Sequence, residues 1–266
     1  MIPDFDRIAA FLAKLGPNLL RQQESDLDIE IKSDGSKVSS GDIWVHEQVY
    51  AFLKQLTPEI PIVSEEGALP SQETLASWPA YWCLDPIDNT HGFIEGSSEF
   101  VISLGLVIHQ VPTYGWIAVP HEERVYYTTS TKSSAVYTLK NQGIRPIRLF
   151  QTEVNKLDPI PIVMSSRCQQ HPDFKDYLDR LHSFYEGRCH VFTCSSALKF
   201  CRLLDGDADA YFRLGRTKLW DVAGGFALSK TIGKKSYVLS SPSSLRFDEL
   251  SLKNLPLLEI PPFLIA

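Results

Sequence analysis

The sequence predicts an α/β protein whose N-terminal half is α+β and whose C-terminal half is α/β. Three observations carry this. Ile8, Phe11, Leu12, Leu15 and Leu19 fall at helical spacing near the N-terminus. Short β-rich runs follow one another between Phe100 and Leu149, separated by turn-like residues, as antiparallel strands require. From Ile162 to Thr231, strand-like and helix-like segments alternate. With 266 residues, 44% of them hydrophobic, the chain can build one large core or two modest ones.

The first helix covers the N-terminal stretch. A second is expected from about Asp42 to Leu56, capped by Ser39 or Ser40 and stopped by Pro58. Its buried stripe would be Ile43, His46, Val49, Tyr50, Leu53 and Leu56. Strands are expected at Phe100–Ile108, Tyr114–Val119, Val125–Thr129 and Ala135–Leu139. Between Leu149 and Pro161 the chain turns polar and carries Pro159 and Pro161, which divides it into residues 1–155 and 156–266. In the second half, Ile162–Met164, Val191–Phe192 and Ala210–Phe212 read as strands. Asp173–Leu181, Ser196–Leu204 and Asp221–Thr231 read as helices. The apolar tail from Leu255 to Ala266, broken by Glu259 and Pro261-Pro262, reads as a final edge segment or a contact surface.

Composition narrows the function. The formal net charge of -6 argues against a nucleic acid polymer as partner, because phosphate backbones are bound by clustered Lys and Arg. The five cysteines are odd in number and form no C-x-x-C pair, which argues against a disulfide framework and a zinc site. They read as small buried residues of a reducing compartment. Two acids among Met1–Asp6 precede any apolar stretch, so no secretory signal is expected there. No apolar run approaches the ~18 residues of a membrane span. The expected location is the cytoplasm, with peripheral membrane association left open.

Three segments stand out as poor scaffold: S-E-E-G at Ser64–Gly67, D-P-I-D-N-T at Asp85–Thr90, and W-D-V-A-G-G at Trp220–Gly225. Tyr81–Leu84 reads as a buried strand that ends at Asp85, since Pro86 cannot continue a ladder. Asp85, Asp88 and the carbonyl of Ile87 can then offer oxygens to a hard cation such as Mg²⁺. The helix start at Asn89-Thr90 offers N–H groups to an anion. Taken singly, each segment also reads as a solvated turn or a helix cap. His91, with no other histidine at ligand spacing, reads as a polar contact. Jointly, acids follow strand ends at Glu65, Asp85–Asp88 and Asp221, and Asp42 starts a helix. Acidic termini gathered around one cleft are what a multi-metal phosphoryl-transfer site requires.

In this order and spacing, the three segments resemble the signatures of the Mg²⁺-dependent, lithium-sensitive phosphatases of the inositol monophosphatase superfamily. Those signatures are Glu-Glu after a strand, D-P-[IL]-D-G-[ST] and W-D-x-A-[AG]-G. The resemblance covers nearly the whole chain. Within the superfamily the chain is most similar to bacterial 3'(2'),5'-bisphosphate nucleotidases, through Asp34–Asp42, Ser195–Phe200 and Ala208–Asp221. It implies a layered αβαβα sandwich of the inositol monophosphatase and fructose bisphosphatase type, with residues 1–155 binding metal and 156–266 binding substrate. It implies up to three Mg²⁺ ions held by Glu65, Asp85, Asp88, Asp221 and the Ile87 carbonyl. Asp42 and Thr90 would form a dyad beside the nucleophilic water, assisted by Glu65. Asn89, Thr90, Ser166, Arg167, Ser196, Lys199, Arg213, Lys218 and Asp221 would contact substrate. The implied activity is release of phosphate from adenosine 3',5'-bisphosphate to give AMP. The alternatives are an inositol-phosphate or sugar-phosphate phosphatase of the same fold, or a catalytically weak nucleotide- or metal-binding relative. The resemblance is compatible with a homodimer, and the sequence leaves the oligomeric state open. Three departures from the family pattern are Asn89 for Gly, His91-Gly92 for Lys-Glu, and Ser39 for Thr. The Asn89 amide is expected near the phosphate or a metal-bound water.

Overall fold

The structure is a computed structural model describing residues 3–25, 27–147, 159–239, 248–249 and 258–266. Helix α1 (Phe5–Gln23) is capped by Asp4, whose side chain accepts the Arg7 N–H. A hairpin of β1 (Ile29–Ile31) and β2 (Lys37–Ser39) leads into α2 (Ser40–Leu56). Then come β3 (Ile62–Ser64), α3 (Gln72–Ser77), β4 (Ala80–Asp88) and the one-turn helix α4 (Thr90–Ile94). Strands β5 (Val101–Ile108), β6 (Val111–Val119), β7 (Arg124–Ser130), β8 (Ser133–Thr138) and β9 (Gly143–Ile147) complete the first half. The second half runs β10 (Ile160–Met164), α5 (Phe174–Phe184), β11 (Cys189–Thr193), α6 (Leu198–Asp205), β12 (Ala210–Arg213), β13 (Thr217–Lys218) and α7 (Leu219–Thr231). It ends with β14 (Ser236–Val238), β15 (Asp248–Glu249), β16 (Glu259–Ile260) and β17 (Phe263–Ile265).

Strands β3 to β9 form one seven-stranded sheet in sequence order, parallel only between β3 and β4. A six-stranded sheet has the order β11-β10-β12-β17-β14-β15. Alternate side chains of each strand enter different cores, as a period of two dictates. Trp82 and Leu84 of β4 pack with α1 and α2, while Tyr81 and Cys83 face α6 and α7. Val163 of β10 faces α6 and α7 too, while Ile162 and Met164 pack with Tyr177 and Leu181 of α5. The layers are therefore α1/α2, first sheet, α6/α7, second sheet, α5. This is the expected αβαβα sandwich. All five cysteines are buried and free.

The middle layer is common property. Val63 and Cys83 of the first sheet share one core with Phe200 of α6, Phe226 of α7, and Tyr211 and Phe263 of the second sheet. The expected division at 155/156 falls within residues 148–158, outside the described residues.

Three local expectations need correction. The strand through Asp85 does not stop at Pro86. β4 continues to Asp88, and the pairing shifts from Asp85↔Ser103 to Asp88↔Val101, so a bulge absorbs the missing N–H of proline. On α2, Ile43 and Tyr50 are 41% and 40% exposed, and the buried stripe is Val45, Val49 and Leu53 together with Gly41 and Asp42. The apolar tail is no edge: β17 pairs with β12 on one side and β14 on the other, with Phe263, Leu264 and Ile265 buried.

Close backbone approach seats α7. A β-carbon on Gly115 would overlap the Gly224 carbonyl oxygen, and one on Gly224 would lie 2.8 Å from the Leu104 carbonyl oxygen. Ser103 Oγ donates to the Trp220 carbonyl, 3.1 Å, fixing the start of the same helix. Gly115→Ala should therefore lift α7 from the sheet and cost about 1–3 kcal/mol of stability, the usual penalty of overpacking. Urea unfolding checks this, and an unchanged midpoint would show that the approach is not tight.

Candidate active site

Each acid of the site owes its place to a local element. Parallel pairing of β3 with β4 extends to Glu65, whose N–H donates to the Leu84 carbonyl (3.1 Å), so Glu65 stands beside Asp85. Asp42 and Asp221 both sit in the first turn of a helix. Asp42 Oδ2 accepts the Ser39 N–H at 2.8 Å and the Ser39 hydroxyl at 2.6 Å. Asp221 Oδ2 accepts the Lys218 N–H at 3.1 Å and the Thr217 hydroxyl. In each case one oxygen caps the helix and the other is left to face the site.

Glu65, Asp85 and Asp221 present oxygens within 4.8 Å of one another. Asp85 is buried, and its Oδ1 has no hydrogen-bond partner among the described residues. An orphaned buried carboxylate oxygen, facing two further carboxylates and no His or Cys, fits a hard divalent cation of the Mg²⁺ type. Asp88 stands apart from this trio. Its Oδ2 accepts the Ala197 N–H at 2.5 Å on the cleft side. The Ile87 carbonyl accepts the Thr90 hydroxyl at 3.1 Å. The same hydroxyl lies 2.8 Å from Asp42 Oδ1, so the expected dyad is a direct contact.

Burial, reinforced by neighbouring carboxylates, holds protons on these acids. Glu65 and Asp88 are pushed up to about 7 and Asp85 well above its usual range. Burial also raises Asp42. Lys32, at the end of the β1–β2 hairpin arm, lies 2.7 Å from Glu66 and 3.5 Å from Glu65. No motif pointed to Lys32, which lies just before the Asp34–Asp42 segment.

A cleft of about 720 Å³ opens beside Asp88 and Asp221. Ser166, Arg167, Ser196, Lys199 and Arg213 line it, as does Asn89. Lys199 is 1% exposed and donates to the carbonyls of Ser196 and Cys194 at 2.5 and 3.1 Å. Burial pushes its ammonium down to about 8, although Asp88 pulls the other way. Arg213 Nη1 reaches the Tyr211 hydroxyl at 3.4 Å and Nε the Gly215 carbonyl at 3.2 Å. Lys218 does not line the cleft. Its ammonium pairs with Glu259, its register partner across β13–β16, at 3.3 Å. Arg216, which was not singled out, lines the cleft and also reaches Glu259 at 3.2 Å.

Asn89 is left-handed, with φ 79 and ψ 51, which only Gly, Asn or Asp adopts readily. Its side chain is bonded back into its own segment while the residue lines the cleft. Oδ1 accepts the Gly92 N–H at 3.2 Å and Nδ2 donates to the Glu99 carbonyl at 2.8 Å. A β-carbon on residue 92 would overlap the Asn89 amide. Asn89 and Gly92, two of the departures from the family pattern, thus depend on each other.

Two outcomes are expected. Gly92→Ala alone should destabilise by about 1–3 kcal/mol through overpacking. In an Asn89→Gly background it should be neutral or stabilising, since Ala exceeds Gly in helices by about 1 kcal/mol. Urea unfolding of the double-mutant cycle measures this, and strict additivity would refute the coupling. The second outcome concerns pH. Unfolded Asp and Glu titrate near 3.8 and 4.5, below the folded values, so the folded chain binds more protons between about pH 4 and 7. Stability in EDTA should fall as pH rises through that window. Mg²⁺ should restore it, more at about pH 8 than at about pH 5. A metal-free stability that rises over the same range would contradict the mutual repulsion.

Residues 5–238 match the model of the inositol monophosphatase family. The chain is 33% identical over 207 residues to the 3'(2'),5'-bisphosphate nucleotidase CysQ of Escherichia coli O6:H1, covering 78% of each. The crystal structure of CysQ from Bacteroides thetaiotaomicron superposes with a TM-score of 0.76 at 25% identity, covering 98% of this chain and 95% of that one. An IMPase/NADP phosphatase solved with Mg²⁺ and phosphate has the same fold, with a TM-score of 0.67 at 18% identity over 95% and 86% of the two chains. With that match running from α1 to β14, and with the acids of all three motifs at the positions described, this chain belongs to the inositol monophosphatase family and is a phosphatase.

Proposed function

We propose that the chain is a Mg²⁺-dependent phosphatase that removes the 3'-phosphate of adenosine 3',5'-bisphosphate to give AMP. The observation that carries this is the convergence of Glu65, Asp85 and Asp221 around the unpartnered Asp85 oxygen, one loop away from the Asp42–Thr90 contact. The CysQ relatives named as bisphosphate nucleotidases, and the neighbour solved with Mg²⁺ and phosphate, support the same reading.

Glu65, Asp85 and Asp221 would hold Mg²⁺, with Asp88 and the Ile87 carbonyl as further oxygens at the cleft side. Bound there, Mg²⁺ supplies Lewis-acid charge that acidifies water and neutralises phosphoryl oxygens. Thr90 Oγ1 points its proton at Asp42 Oδ1, which leaves a lone pair to accept a proton from the attacking water. Asp42 takes the hydroxyl proton in turn. Burial, which raises its proton affinity, makes it a competent acceptor. Glu65 would assist as a metal ligand on the same side of the site. Arg213 and Lys199 bring positive charge beside Asp88, and Arg167 adds a third cation to the cleft lining. An arginine suits a second phosphate better than a neutral polyol, which favours the bisphosphate over inositol or sugar phosphates. The binding-protein alternative rested on Asn89, whose side chain is bonded back into its loop, so that alternative loses its support.

The test is phosphate release from adenosine 3',5'-bisphosphate, inositol 1-phosphate and fructose 1,6-bisphosphate, with Mg²⁺ and with EDTA. The nucleotide should have the highest kcat/KM, and EDTA should abolish turnover. Turnover in excess EDTA, or preference for the polyol, would reject the corresponding part. Asp85→Asn should lower kcat by about 10²-fold or more through lost transition-state stabilisation. The same variant should raise the metal-free melting temperature, because it removes a buried, repelled carboxyl. Loss of both activity and metal-free stability would mean that Asp85 is structural.

A further inference from the structure

We infer that Glu99 is a positioning residue that fixes the spacing between the Asn89-Thr90 loop and the far wall of the cleft, and thereby favours substrates with a second anionic group. The inference rests on the reading of the cleft as a nucleotide bisphosphate site.

Glu99 precedes β5, belongs to no motif, and forms no ion pair with Lys, Arg or His among the described residues. It is half-buried and is not part of the cleft lining. Its carboxylate nevertheless reaches across the seam between the two halves. Oε2 accepts the Ser195 N–H at 2.9 Å. Two residues further on, the Ala197 N–H donates to Asp88. Between them Ser196 has φ 51, a left-handed conformation that a serine holds only when its surroundings impose it. Two carboxylates from the first half, one on each side, impose it here. Lys199 completes the turn by donating to the Ser196 carbonyl.

A single bond from Asp88 would leave this turn free to pivot, whereas two anchor points fix its orientation. Ser196 and Lys199 are both on the cleft wall, so their placement follows from that orientation. Glu99 also holds the opposite side, because its backbone carbonyl accepts the Asn89 amide. One residue therefore ties the loop that carries Thr90 to the turn that carries Ser196. The distance between a phosphate at Thr90 and a second anion near Lys199 is set through it.

The experiment compares wild type, Glu99→Ala and Glu99→Gln on adenosine 3',5'-bisphosphate and on adenosine 2'-monophosphate, with Mg²⁺. Glu99→Ala should raise KM for the bisphosphate about tenfold, the effect of losing one bond to a charged acceptor. kcat and the monophosphate KM should stay within about threefold. Glu99→Gln keeps an acceptor oxygen for the same N–H and should stay within about threefold of wild type throughout. Equal loss on both substrates, a Gln variant as damaged as Ala, or no change in KM would overturn the inference. Hydrogen exchange at the Ser195 and Ala197 amides, measured on the metal-free protein, needs no turnover. Both should exchange about tenfold faster in Glu99→Ala and be protected again in Glu99→Gln. Unchanged exchange would overturn the inference whatever the kinetics. A wild type inert on both phosphates, with exchange responding as expected, would sink the nucleotidase reading and leave the positioning role standing.

Discussion

Buried negative charge governs this structure. Asp85 has an oxygen with no hydrogen-bond partner among the described residues, and Glu65 and Asp221 present oxygens within 4.8 Å. A carboxylate in that setting is costly unless it is protonated or paired with a cation. The surroundings supply only partial relief. Asp42 and Asp221 lie in the first turns of α2 and α7, where the helix dipole favours negative charge. Lys32 reaches Glu65 and Glu66 from the hairpin. No cation reaches Asp85 itself among the described ion pairs, so the scaffold leaves a buried charge uncompensated that a divalent ion would relieve.

Holding repelled acids together demands rigid supports, and the glycines of W-D-V-A-G-G provide one. Gly224 lies against Gly115 and the Leu104 carbonyl, and Gly225 leaves room for the Phe200 ring. A larger side chain at 224 would press α7 away from the sheet, and one at 225 would displace the Phe200 ring of α6. The glycines and the aspartate of that segment are thus a single device. Because α6 and α7 form the layer between both sheets, the same contacts also fix the second sheet and the cleft wall.

The motif acids were legible because each follows a strand end or opens a helix, and β3–β4 pairing and two capping turns convert those positions into convergence. Their individual roles were ambiguous for a physical reason. Asp42 and Asp221 each spend one oxygen on capping a helix, so the pattern of a cap and that of the proposed site role coincide in the sequence. Other features left no local trace. Lys32 and Glu99 act through contacts with residues 34 and 96 positions away. Lys218 and Arg216 are two residues apart and both pair with Glu259, yet only Arg216 also lines the cleft, a difference the sequence does not signal. The exposed Ile43 and Tyr50 mimic a core stripe, since apolar periodicity does not state which side of α2 meets the sheet. The short tail strand became central through pairing with β12 and β14, partners that its own sequence does not name.

The substitution of Asn for the family glycine tests how local such a site is. A left-handed residue at position 89 is needed to turn β4 into α4, and glycine meets that need with the fewest constraints. Asparagine meets it at the cost of a side chain that must go somewhere. The chain gives it room over Gly92 and two hydrogen bonds, one to that residue and one to Glu99. The backbone of the phosphate-side loop therefore keeps its shape, and Thr90 keeps its contact with Asp42. A sequence departure at a motif glycine need not mean lost chemistry when a second departure three residues away removes the clash. The motif is better described by its backbone conformation than by its letters, and in those terms residue 89 conforms.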